Sequence, residues 1–179
     1  MKRSKITILL AIVLGMTFHS CLDLEPQDQL GGKNMWTSVN DYKQFANTFY
    51  SWTRDFSSVV YDGTHSDKRS DLITYQSYNE FSRGINSIPS SDANYTDNYK
   101  HIRRTNLLLQ NAEAYAKPED IKQYIGEAYF FRAYSYFDLL QLYGDVIITK
   151  KPLDITDPEM KVKRNDRSEV VDLIIDDLN

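Results

Sequence analysis

The chain predicts an all-α fold, and three observations predict it. Apolar residues recur at steps of three and four in four separate stretches, the period of a helix rather than the alternation of a strand. Start and stop residues bracket those stretches: Ser38 with Asp41, Pro118, Gly144, and Asp166 with Glu169. One short run, Val146-Ile147-Ile148-Thr149, has β character, and it follows directly on Gly144.

Residues 1–20 read as an address rather than as fold. Lys2, Arg3 and Lys5 form a basic head, and Ile6 to Phe18 is an uncharged apolar run. That run is shorter than the ~20 apolar residues a spanning helix needs, so it reads as a secretory signal. Cys21 follows, where lipoproteins are cut and acylated, and it is the only cysteine in the chain. With no second cysteine it has no intramolecular disulfide partner, so the expectation is a lipid anchor on Cys21. Phe18 and His19 at the −3 and −2 positions depart from the strict lipobox. The plainer alternative is an ordinary signal peptide with an accidental cysteine nearby. Removing residues 1–20 takes away three cations and no acid, and moves the net charge from −4 to −7. An acidic chain of this kind is a poor nucleic-acid binder, because phosphate contact needs clustered Lys and Arg.

Residues 21–34 read as a tether, with Pro26, Gly31 and Gly32 among polar residues and no apolar period. Residues 35–179 read as the folded domain. Trp36 to Trp52 predicts a first helix, capped by Thr37 or by Ser38 in a capping box with Asp41. Val39, Tyr42, Ala46 and Phe49 form its apolar face, widened by Phe45 and Tyr50. Thr53 to Asn94 is irregular, and so long a loop in a compact domain is often functional. Tyr95 to Lys117 predicts a second helix, with Thr96 as cap and Tyr99, Ile102, Asn106 and Leu109 in one stripe.

Pro118 to Tyr143 predicts a third helix roughly 40 Å long at 1.5 Å per residue. Glu119 and Asp120 suit its positive N-terminus, and Gly144 suits its end. Ile121, Tyr124 or Ile125, Ala128, Phe131 or Arg132, Ser135, Leu139 and Leu142 mark its inner side. Gly126, Ala128, Ala133 and Ser135 are small enough to let a neighbouring helix come close. Lys150 to Asn165 reads as polar loop. A fourth helix then begins with Val170 or Val171, Ile174, Ile175 and Leu178. The chain ends at Asn179 in mid-helix, with nothing obvious for that apolar face to pack on. This reads as a truncated protein or gene fragment, with exposed apolar surface near Ile174, Ile175 and Leu178 and poor solubility of the isolated piece.

Four pieces, in this order, resemble the N-terminal portion of the RagB/SusD-like nutrient-uptake lipoproteins of the outer membrane. They are Cys21 to Pro26 after the leader, Tyr99 to Leu108, Gly126 to Asp145, and Arg167 to Leu178. The resemblance implies tetratricopeptide-like helix pairs, the second and third helices forming one such pair. It implies a SusD-like protein on the outer face of the outer membrane, held by its lipid. It also implies capture of an oligosaccharide, or in some members a peptide, for delivery to a SusC-like TonB-dependent transporter. Family members are much longer, and their C-terminal part supplies many ligand contacts.

No catalytic constellation stands out, and no cofactor motif is present. Glycosidases set two carboxylates across a cleft; Asp176-Asp177 and Glu119-Asp120 read instead as a solvated face and a helix N-terminus. His65, Asp67 and Asp71 match no zinc or calcium spacing. Gly31-Gly32 lacks the Lys-Ser/Thr of a phosphate loop. His101, beside Arg103 and Arg104, reads as a surface residue, and Arg132 and Asp138 as structural tethers within the long helix.

Sugars are held by aromatic faces with amides and carboxylates on their hydroxyls. Trp52, Tyr61, Tyr75, Tyr78 and Phe81 are the ring candidates, with Asp62, Asp67, Asp71, Asn79 and Asn86 as polar grips. The plainer reading is that these rings pin the loop to the helices. Three functions follow: a non-catalytic glycan or nutrient binder, a lipid-anchored helical-repeat scaffold for protein partners, and, least supported, a lipoprotein glycosidase.

Overall fold

The computed structural model describes residues 35–54, 83–85 and 87–179. Their order is helix α1 (Val39–Asn47), a 3-10 turn (Thr48–Trp52), α2 (Ala93–Glu113), α3 (Pro118–Tyr143), a 3-10 turn (Pro158–Lys161) and α4 (Arg167–Leu178). Helix α3 is the spine, with α2, α4 and α1 each packed against it. The expected all-α helix-pair architecture holds. Among the described residues the β-like run makes only one isolated antiparallel bridge, Val146 to Asn165.

The predicted first helix is two pieces. Ser38 caps it in the expected box: its N–H donates to Asp41 Oδ2 at 2.8 Å, and Asp41 N–H returns to Ser38 Oγ at 3.4 Å. The α-helical bonding stops at Asn47, where the Thr48 hydroxyl turns back onto the Phe45 carbonyl at 2.6 Å. Such back-bonding competes with the helix ladder, and the chain tightens into a 3-10 turn. Tyr42, Phe45, Ala46 and Phe49 are buried as expected, whereas Tyr50 is half exposed.

Helix α2 begins two residues early and ends four residues early. Its cap is Asp92, which accepts from Asn94 N–H at 2.9 Å. Thr96, the expected cap, lies inside the first turn with its hydroxyl on the Asp92 carbonyl. The short connection through Lys117 delivers Pro118 at the first position of α3, where its missing N–H costs nothing. Gly144 ends α3 with φ +69°, a conformation that favours glycine. A Cβ there would sit 3.1 Å from the Arg167 guanidinium.

Ile121, Ala128, Phe131, Arg132, Ser135 and Leu139 of α3 are buried, so its inner side is as expected. Gly126 is not part of a close approach; it is exposed, with open space around it. The face of α4 does find a partner. Val170 and Leu173 are buried against α3 and Val146, with Ile174 packed beside them, while Ile175 and Leu178 stay about half exposed. Two apolar clusters result. One joins α1 to α2 and the first half of α3 through Tyr42, Phe45, Phe49, Leu108 and Phe131; the other joins α2, α3 and α4 through Ile102, Tyr136, Leu139 and Val170.

Candidate functional site

Two concave sites lie along α2. The first is a small polar cleft of about 180 Å³ where the 3-10 turn after α1 meets α2 and α3. Trp52, Asp97, His101, Tyr134 and Asp138 line it. Trp52 arrives at the end of the turn, and the His101 ring stacks on it at 4.0 Å with 13° between planes. Phe49 sits 4.7 Å from the same indole and Phe131 meets it edge-on at 5.7 Å. The indole is therefore committed to packing, and what it offers the cleft is an edge. His101 is half buried and stacked, so the expectation of a plain surface histidine does not hold. Burial pushes its pKa below the ordinary value, Arg104 and Lys100 add to that, and Asp97 and Asp138 oppose it. Asp138 in turn receives Arg54 from the end of the first helical segment, the tethering role expected of it.

The second site is a groove of about 440 Å³ between the first half of α2 and the segment 147–160. Tyr99 forms its floor. The Tyr99 hydroxyl donates to the Ile147 carbonyl and accepts from the Ile147 N–H, both at 2.9 Å. Burial pushes this phenol far above its ordinary pKa, so it is a neutral donor at any physiological pH. Tyr95 lies one turn earlier, 4.8 Å from the Tyr99 ring and edge-on to Tyr143 at 5.2 Å. Tyr143 donates to Asp92 Oδ2 at 2.6 Å, which holds that carboxyl below its usual range. Lys100, Arg103 and Lys151 stand around the groove together with Glu159.

The segment opposite α2 is held by buried polar side chains rather than by a strand partner. Tyr136 Oη accepts from Thr149 N–H at 2.7 Å and donates to the Thr149 carbonyl at 3.2 Å. Asn106 Nδ2 donates to the same carbonyl at 2.9 Å, and Asn165 Oδ1 accepts from Ile148 N–H at 2.9 Å. Asn106 is held by Arg132 Nη1 at 2.8 Å. Arg132 grips Asp177 with a two-point fork, 2.7 and 2.6 Å. Asp177 is thus not on a solvated face: its side chain is 4 % exposed. Helix α4 therefore contributes more than an apolar stripe, since one of its acids completes the interior charge pair.

Of the sequence-predicted rings, Trp52 is placed at the first cleft. Tyr61, Tyr75, Tyr78 and Phe81 lie outside the described residues, as do Asp62, Asp67, Asp71, Asn79, Asn86, His65 and Cys21. No group of acids, histidines or cysteines suited to a metal occurs among the described residues. The groove was missed because its far wall falls in what reads as polar loop. The only signal in the sequence is local: Tyr95, Tyr99 and Arg103 recur at four-residue steps on one face of α2.

The model of a family of SusD-like proteins, described as starch-binding and associating with outer membrane, matches residues 22–179. A SusD-like protein of Formosa agariphila is 27% identical over 197 residues, covering 99% of this chain and 36% of the relative. The fold is similar to the crystal structure of a SusD-like protein from Bacteroides fragilis, with a TM-score of 0.65 and 24% identity. That likeness covers 86% of this chain and 31% of that one. The chain thus spans about a third of the length of these relatives. Helix pairs in the same arrangement and a family match over nearly the whole length agree: the chain belongs to the SusD-like family.

Proposed function

We propose that this protein is a lipid-anchored outer-membrane protein that binds an oligosaccharide at the cell surface and passes it to a SusC-like TonB-dependent transporter. The observation that carries this reading is the family match over residues 22–179. That match begins one residue after Cys21, which supports acylation at Cys21 and a leader ending at Ser20. Residues 21–34 act as the tether, and the described compact unit starts at Met35. Tyr61, Tyr75 and Tyr78 supply the sugar-facing rings. Trp52, sandwiched against His101 and Phe49, precedes them in the chain as a fixed ring.

A second reading, an anchored helical scaffold for protein partners only, has one observation in its favour. Phe130 and Phe137 are about half exposed on the outer side of α3. Such rings on a helix face suit a protein interface.

Purifying the native lipidated protein from outer membranes, with partners identified by mass, separates the two. A stoichiometric β-barrel transporter supports the uptake reading. Recovery of soluble or periplasmic partners without any barrel would leave the scaffold reading in its place. A Cys21→Ser variant is expected to leave the membrane fraction; retention there would refute the anchor.

A further inference from the structure

We propose that the groove between α2 and the segment 147–160 binds the acidic unit of a glycan, a sugar carrying a carboxylate or a sulfate ester. This rests on the reading of the protein as a glycan binder and narrows it to a charge class at one place in the fold.

The groove has the size of a small-ligand site, about 440 Å³. Its floor is set before any ligand arrives. Tyr99 is pinned at its hydroxyl by both backbone groups of Ile147, and Tyr95 is wedged between Tyr99 and Tyr143. Two rings held this way offer apolar faces to the C–H side of a sugar with little ordering cost.

Charge decides the class. Three cations line the groove against one carboxylate, Glu159, in a chain whose net charge is −4. They come from two separate segments, Lys100 and Arg103 from one face of α2 and Lys151 from across the groove. Their present partners are replaceable. Lys100 pairs with Asp97 at 2.7 Å and Lys151 with Glu159 at 2.7 Å, while Arg103 donates from Nε to the Leu153 carbonyl at 3.4 Å and reaches Asp154 at 3.9 Å. All six of these side chains are about half exposed or more. Exposed pairs of this kind contribute little, so a ligand carboxylate or sulfate can exchange for them, with the Arg103 fork suited to two-point contact.

The test is calorimetric titration of the full-length protein with tetragalacturonate and a sulfated galactan oligosaccharide, and with maltotetraose as the neutral probe. An acidic probe is expected to bind, and to weaken as salt is raised. Combining Lys100→Ala with Lys151→Ala should weaken it by about tenfold, in line with losing charge-assisted contacts. Glu159→Gln should strengthen it by removing the carboxylate that lines the groove and pairs with Lys151. Lys122→Ala, an equally exposed lysine on the first turn of α3, should change nothing. Acidic binding indifferent to the Lys100, Lys151 and Glu159 changes would overturn the assignment of this groove. Binding of maltotetraose alone would sink the inference while leaving the glycan-binding reading intact. Failure of both acidic probes to bind would likewise overturn the inference, while the glycan-binding reading stands or falls on the partner purification above.

Discussion

Phe131 and Arg132 are neighbours in the chain but belong to two different ways of holding helices together. Phe131 points into the aromatic end, where Phe49, Tyr50, Trp52 and Phe130 surround it at 5.1–5.7 Å. Arg132 points into the opposite cluster, where it is forked onto Asp177 and bonded to Asn106. The aromatic end is stabilised by burial and ring geometry, which tolerate modest changes of shape. The polar end must satisfy the backbone of an irregular segment, and each bond there has a direction. The difference teaches where the fold needs particular residues: on the wall of the groove, whose backbone only directional partners satisfy, more than in the packing of α1.

The largest effects come from cutting either centre. Arg132→Ala strands Asp177 as an unpaired buried carboxylate, which is expected to cost about 3–5 kcal/mol. Phe131→Ala opens a cavity and is expected to cost about 3–5 kcal/mol as well. Conservative changes separate the two regions. Phe131→Leu should cost no more than about 1.5 kcal/mol. Arg132→Lys keeps the charge but loses the fork, and should still cost about 1.5–3 kcal/mol. Replacing both partners at once, Arg132→Met with Asp177→Leu, should recover most of the loss, because no charge is then left buried. Urea midpoints at unchanged slope measure all five. If Arg132→Lys proves as stable as the parent protein, the directional account of the polar end fails.

A single hydroxyl sharpens the same comparison. Tyr136→Phe removes the acceptor of the Thr149 N–H in a part-buried setting and should cost about 1–3 kcal/mol. Tyr42→Phe at the aromatic end removes a bond to the Asn111 carbonyl, which also accepts from the Ala114 N–H. That loss should be smaller, about 0.5–1.5 kcal/mol. The Tyr136 change is also expected to loosen segment 147–153, seen as faster amide exchange at Thr149, whereas Tyr42→Phe should leave that amide protected. Equal exchange in both variants would mean that the phenol does not hold the groove wall.

The aromatic end was legible in the sequence because burial on a helix writes itself as period. Tyr42, Ala46 and Phe49 fall at steps of three and four, and so do Ile121, Ala128 and Leu139 over whole turns. Caps built from neighbours in sequence, Ser38 with Asp41 and Asp166 with Glu169, were equally readable. What stayed hidden depends on distant polar partners. Asp177 beside Asp176 looks like a wet helix edge until Arg132, 45 residues earlier, is seen to face it. Asn98 and Thr105 are buried on α2 although no apolar pattern marks them. The groove was illegible for the same reason: nothing in the residues Val146 to Asn165 announces that Tyr136, Asn106 and Asn165 hold the backbone of Ile148, Thr149 and Lys151. Even the early end of α1 needed more than period, since Thr48 breaks the ladder through its hydroxyl.

The smallest effect probes the aromatic end through His101, a ring that takes up a proton on acidification. His101 stacks on Trp52, and burial lowers its pKa; Arg104 and Lys100 on α2 reinforce the shift, while Asp97 on α2 and Asp138 on α3 oppose it. The unfolded chain takes up the proton near the ordinary value of about 6.5, and the folded chain resists. In that window the unfolded state binds more protons, so stability falls as pH drops through about 6.5 and levels off below the folded value. His101→Phe keeps a ring on the indole but cannot titrate. The variant should therefore lack this part of the stability loss on acidification, read as the difference in urea midpoint between the two proteins across that range. The two proteins differ only at position 101, so the share of every other group cancels from the difference. A parent and a variant with identical pH slopes would show that the imidazole gains its proton as easily folded as unfolded. The stack on Trp52 would then not be the buried, neutral contact that separates this end of the molecule from the charged one.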